Sequence, residues 1–124
     1  MPVVTAPASP THEVGGIRFT SLATPSRGSL RTSVWTIEVP VGETPTPHRL
    51  TDEEIFVVLE GEAAVELDGV GSTALAGDAI VVPPGVSFSL GNSGSATLRL
   101  VCCLPVGGQA VVAGGEPFTP PWAR

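Results

Sequence analysis

His48 and Glu54 stand six residues apart in "GETPTPHRLTDEEIFVVLEG", residues 42 to 61. An imidazole and a carboxylate brought together have two chemical uses. They can share in holding a divalent metal, or they can move a proton. A carboxylate near an imidazole raises its pKa and fixes its tautomer, which suits a general base near neutral pH. On that reading His48 is the base and Glu54 orients it. The plainer alternative is a pair bonded to each other in a site with no chemistry. Burial of both groups costs desolvation that apolar residues would avoid, which weighs against that alternative.

The elements that must position this pair are short and apolar. "GGIRFTSLA" reads as a first strand. "SLRTSVWTIEV" alternates Trp35, Ile37 and Val39 against Val34, Thr36 and Glu38, the period-2 signature of a strand. "EIFVVLEG" is an apolar run ending in a turn. "EAAVELDG" sets Ala63, Val65 and Leu67 against Ala64, Glu66 and Asp68, and Asp68-Gly69 signals a hairpin turn. "STALAGDAIVVPPG" reads as a strand pair bent at Gly77-Asp78, and "VSFSLGNSGSATLRLVCCLPV" as a hairpin turning at "GNSG". "QAVVAGG" closes the series. About nine short strands with no helix predict a sandwich or barrel. Residues 1–14 read as a loose N-terminal arm, 15–113 as the barrel, and 114–124 as a Pro-rich tail whose Phe118 and Trp122 tuck against the barrel or a partner subunit.

Bulk composition removes several functions. The 124 residues make one domain, and 15 Gly with 13 Pro are more than helices tolerate. Net charge is -6, and the six cations are scattered arginines, so a nucleic-acid partner is not expected. The chain has no Lys and no Tyr, which excludes Schiff-base chemistry and a tyrosine acid. Cys102 and Cys103 are adjacent, point to opposite faces of a strand, and read as reduced thiols of a cytoplasmic protein. The start of the chain lacks the basic n-region of a signal peptide, and no apolar run suits a membrane span.

Two motifs carry a resemblance. Gly42, five residues, His48, one, Leu50, three, Glu54, six, Gly61 is similar to the first cupin motif. Gly77, five residues, Pro83, one, Gly85, two, Phe88, three, Asn92 resembles the second. The resemblance covers about residues 30 to 105 and implies an all-β double-stranded β-helix, the jelly-roll cupin barrel. It also implies that positions 48, 50, 54 and 88 converge inside the barrel, where metal-bearing members hold one transition ion. Here Leu50 and Phe88 replace two of those ligands, while His48 and Glu54 remain. Open metal sites generally keep three protein ligands, so no tightly bound cofactor is expected. A divalent transition metal, held weakly by His48 and Glu54, is the alternative. Cys102, Cys103, His12, Asp52 and Glu53 are the side chains that could complete such a site.

Leu50, Phe56, Phe88, Leu90, Trp35 and Cys102 are expected to wall a pocket around His48 and Glu54, with Arg49 pointing outward. Three functions are then open. The first is an isomerase or cyclase acting without metal on an apolar or polyketide-like small molecule, with His48 as general base. The second is a metal-dependent, dioxygenase-like cupin with a non-standard ligand set. The third is a ligand-binding or sensor module without catalysis. The partner in each case is a small molecule, and pairing into a homodimer through edge strands is expected.

Overall fold

The computed structural model describes residues 2–124. Eleven strands carry the fold: β1 (His12–Val14), β2 (Ile17–Ala23), β3 (Thr32–Val39), β4 (His48–Leu50), β5 (Glu54–Glu60) and β6 (Glu62–Leu67), then β7 (Val70–Leu75), β8 (Ala79–Val82), β9 (Phe88–Asn92), β10 (Leu98–Pro105) and β11 (Ala110–Val112). Two single 3-10 turns, Pro25–Arg27 and Pro121–Ala123, are the only helical pieces among the described residues. The fold is the expected all-β jelly roll.

The strands form two antiparallel sheets. One runs β1-β2-β3-β10-β5-β8 and the other β11-β4-β9-β6-β7. Successive strands therefore often change sheet. This corrects two sequence expectations. "STALAGDAIVV" and "VSFSLGNSGSATLRL" each fold as two strands, but β7 and β8 lie in different sheets, as do β9 and β10. Neither stretch is a hairpin. The short links at Gly77-Asp78 and "GNSG" carry the chain across the barrel. Asn92 secures the second crossing: its side-chain amide donates to the carbonyls of Val39 (2.9 Å) and Ala96 (2.8 Å).

Local chemistry accounts for the true hairpin. Leu67 pairs with Val70 across a two-residue loop. Asp68 has φ 46° and Gly69 φ 82°, the left-handed pair that a tight hairpin turn demands and that Asp-Gly supplies. Gly61, which ends the first motif, has φ 89°, and a Cβ there would lie 3.0 Å from the Leu98 Cα and the Thr97 carbonyl. Only glycine lets β5 cross to β6 so close to β10.

Two strands escaped the sequence count, β1 and β4. Each has three residues, too few for alternation to show. Residues 12–14, assigned to the arm, pair with Ile17–Phe19 of β2. The tail is held as well. The Trp122 ring stacks on Phe19 at 3.7 Å between centroids. Ser21 donates to the Trp122 carbonyl at 2.7 Å and Ser33 to that of Ala123 at 2.8 Å. The expected packing of Trp122 on the barrel is observed.

The core lies between the sheets. Alternation holds as expected: Trp35 and Val39 of β3, and Ala63 and Val65 of β6, are buried, while Ala64 and Glu66 are exposed.

Candidate functional site

A cavity of about 330 Å³ opens between the sheets at the end where β4, β11 and the tail meet. Its walls contain His48, Glu54, Leu50, Phe56, Phe88, Leu90 and Trp35, so seven of the eight side chains expected at the pocket come together. The barrel is not plugged by Phe88. Cys102 is the exception. It is fully buried in β10, between Trp35 of β3 and Phe56 of β5, and does not line the cavity. The larger aromatic neighbours on either side form the wall that a small thiol cannot reach.

His48 sits on β4, its backbone opposite Phe88 of β9 and Val112 of β11. Leu50 shares its face, and Arg49 between them is exposed, as strand geometry requires. The imidazole lies against the Phe88 ring, 4.3 Å between centroids. Its Nδ1 is 3.0 Å from the carbonyl oxygen of Thr46. A carbonyl only accepts, so Nδ1 carries the proton and donates. In the neutral ring the lone pair is therefore on Nε2.

Glu54 begins β5 opposite Val82 of β8, and only 4% of it is exposed. No hydrogen bond or ion pair joins it to His48 or to another group among the described residues. This corrects the expectation that Glu54 orients His48: the Thr46 carbonyl does so. Burial strips water from the Glu54 carboxyl and raises its pKa from 4.5 to about 8. The group is thus largely a neutral acid at pH 7. Its negative form, when present, also raises the pKa of the already desolvated Cys102 and Cys103 thiols. Burial pushes both toward the inert thiol.

The donor set does not fit a transition metal. Leu50 and Phe88 are 3% and 2% exposed, and they fill two of the four converging positions with hydrocarbon. Among the described residues, no group of three or more His, Cys, Asp or Glu side chains comes together as a metal site. None of the rescuing side chains joins the pair. Cys102 lies behind the wall, and His12 packs edge-on to Trp122, 6.5 Å between centroids. Asp52 and Glu53 do not line the cavity.

The sequence reading missed several walls. Ile17 and Phe19 of β2, Thr44 and Pro45 of the loop before β4, and Ala110 and Val112 of β11 all line the cavity, as do Phe118, Pro120 and Trp122. The signal for β2 was present, since Ile17 and Phe19 alternate in phase. Pro45 had a fainter one: it packs over Gly91, where a Cβ would sit 3.0 Å from its Cγ. Phe118 and Trp122 are expected against the barrel, but no local signal places them at this cavity.

A two-sheet jelly roll with an apolar interior cavity defines a small barrel protein built around an internal site. The chain belongs to the cupin domain family, whose pattern matches residues 35–104. It is 36% identical over 66 residues to the uncharacterized protein MJ1618 of Methanocaldococcus jannaschii, a match spanning about half of each chain (52% and 53%). A cupin-like protein from Thermotoga maritima superposes with a TM-score of 0.72 at 22% identity, covering 80% of this chain and 77% of that one. Salicylate 1,2-dioxygenase of Pseudoaminobacter salicylatoxidans, in its gentisate adduct, superposes with a TM-score of 0.71 at 19% identity over 86% of this chain and 31% of the enzyme. At such identities the two structures speak for the fold alone. Among the described residues, no helix is long and apolar enough to cross a membrane.

Proposed function

We propose that this chain is a metal-independent acid–base enzyme, an isomerase or cyclase that moves a proton within a small apolar substrate. One observation carries the reading. The Thr46 carbonyl holds the His48 ring as the tautomer whose free lone pair is on Nε2, in a cavity whose other titratable wall group is a buried, neutral carboxyl. A buried carboxyl that keeps its proton can serve as an acid beside an imidazole with a free lone pair. His48 is the general base and Glu54 the acid, a role for Glu54 that replaces orientation of the imidazole.

The step balances without a further reactant. His48 Nε2 takes a proton from a carbon next to a carbonyl. The C–H electron pair forms the new C=C bond, and the carbonyl π electrons move to oxygen. The Glu54 carboxyl gives that oxygen its proton. An imidazolium, a carboxylate and an enol result. Where a further C=C is conjugated with the enol, the imidazolium gives the proton to the far carbon of the dienol as the enol O–H proton returns to the Glu54 carboxylate, and the isomer results. Where the enol carbon instead attacks a second carbonyl of the same molecule, a C–C bond forms, that carbonyl's π electrons take the imidazolium proton on oxygen, and the enol O–H proton returns to Glu54, closing the ring. The apolar wall keeps water from competing for either proton.

The test is solvent exchange. A panel of small ketones, lactones and enones is incubated in heavy water, and deuterium uptake at carbon is read by mass spectrometry. Uptake above buffer that is lost in His48→Ala supports the proposal. No uptake on any compound, or uptake indifferent to His48→Ala, overturns it and leaves a binding module without catalysis.

We further propose a homodimer formed through edge strands. Support comes from β7 and β8, which end their sheets with Val70, Leu75 and Val81 exposed. Sedimentation equilibrium at micromolar concentration tests it, and a monomer mass contradicts it.

A further inference from the structure

The cavity's few polar groups also select what enters it. We infer that it binds an uncharged, flat, aromatic molecule whose carbonyl oxygen is received by the Glu54 carboxyl, and that it rejects carboxylates and phosphates of the same shape. This deepens the proposed function and rests on the cavity being a small-molecule site.

Shape comes first. Trp35, Phe56 and Phe88 present rings to the cavity, with Trp122 at its opening. Its volume, about 330 Å³, is at the small end of ligand pockets. Aromatic walls favour flat guests, which stack or meet ring edges.

Charge comes next. All six cations of the chain are arginines, and none lines the cavity. An anionic guest would lose its water with no arginine to replace it, a loss of several kcal/mol in an apolar site. The chain's net charge of -6 opposes it further.

Unmet hydrogen bonding completes the argument. The Glu54 carboxyl is buried in the wall with no protein partner among the described residues. The titratable groups near it are Cys102 and Cys103 of β10 and His48 across the cavity. No arginine lines the cavity and no ion pair reaches the Glu54 carboxyl, so its burial favours the protonated form. That form has an O–H to give, and a carbonyl oxygen takes it.

The experiment compares four near-isosteric probes by titration calorimetry at pH 6.5: 2-acetonaphthone, 2-ethylnaphthalene, 2-naphthoate and 1-(2-naphthyl)ethylamine. The ketone is expected to bind about tenfold tighter than the hydrocarbon, the size of one hydrogen bond, and tighter still than the carboxylate. Glu54→Leu should erase the advantage over the hydrocarbon, while Glu54→Gln, which keeps a donor, retains most of it. Equal affinity for ketone and hydrocarbon overturns the inference, as does failure of all four to bind. Tightest binding by the carboxylate overturns the charge argument. Tightest binding by the amine shows Glu54 ionised and overturns the donor role. These outcomes are read at equilibrium. Proton exchange that depends on His48 can therefore survive loss of the ketone preference, and the preference can hold where exchange is absent.

Discussion

The Nδ1 of His48 is 3.0 Å from the Thr46 carbonyl oxygen, and Glu54, the neighbour expected to hold that ring, neither hydrogen-bonds nor ion-pairs with it. The imidazole is oriented by its own loop, two residues upstream. Glu54 is left free for another task.

Removing the base should stop chemistry and spare binding. His48→Ala is expected to lower deuterium exchange by about 10²- to 10⁴-fold, the usual worth of a general base, with ketone affinity changed by less than about tenfold. Single-turnover exchange and calorimetry on the same preparation separate the two effects.

Glu54 should make stability fall as pH rises. Its folded pKa is raised from 4.5 to about 8 by burial, so the native state holds a proton that the unfolded chain has released. The contribution is full below pH 4.5 and is lost as pH climbs toward about 8, by an amount on the order of a few kcal/mol. Urea unfolding of the parent and of Glu54→Gln at pH 5 and pH 9 measures it. The difference between the two proteins should grow in favour of Glu54→Gln at the higher pH. Exchange activity should decline as pH rises through about 8, where the folded protein loses the acid.

Phe88, at the position where the resemblance implies a ligand, is part of the core. It is 2% exposed and lies between His48, 4.3 Å away, and Phe56, 5.9 Å away between ring centroids. Phe88→Ala should cost about 3–5 kcal/mol, the usual cost of a buried aromatic, and enlarge the cavity. Thermal and urea unfolding give the cost.

Placing imidazoles where the resemblance implies ligands should create a metal site. Leu50 shares a strand face with His48, and Phe88 lies opposite it in register. Leu50→His with Phe88→His would bring three imidazoles and Glu54 to one point, enough for an open site. The double variant is expected to retain cobalt or zinc near one equivalent through gel filtration, where the parent retains none. Equal retention by both would place the ion elsewhere.

The sequence made the barrel legible because its signals were local and doubled. Asp68-Gly69 named its own turn, and Trp35, Ile37 and Val39 named their own face. The spacings that end at Gly61 and Asn92 matched backbone needs at those very residues. What stayed hidden depended on distance. The strands β1 and β4 are too short to show a period. The links after β7 and β9 look like hairpin turns, and only the closed barrel sends their strands to different sheets. The site was half legible: alternation set His48 and Leu50 inward, but the partner of an imidazole is a matter of tertiary geometry. Thr46 gave no hint, because its backbone carbonyl and not its side chain does the orienting. Cys102 was placed in the wall on strand phase alone, and Trp35 and Phe56 leave it behind them.

If His48 and Glu54 serve this cavity as base and acid, no ion sits between them. Elemental analysis by plasma mass spectrometry on protein purified without chelator or affinity-column nickel is the decisive measurement. Well under one-tenth of an equivalent of any transition metal is expected, unchanged after incubation with iron, manganese, nickel, copper or zinc and removal of excess. A value near one per chain would contradict it: His48 and Glu54 would then be ligands, and the acid–base roles assigned to them would fall.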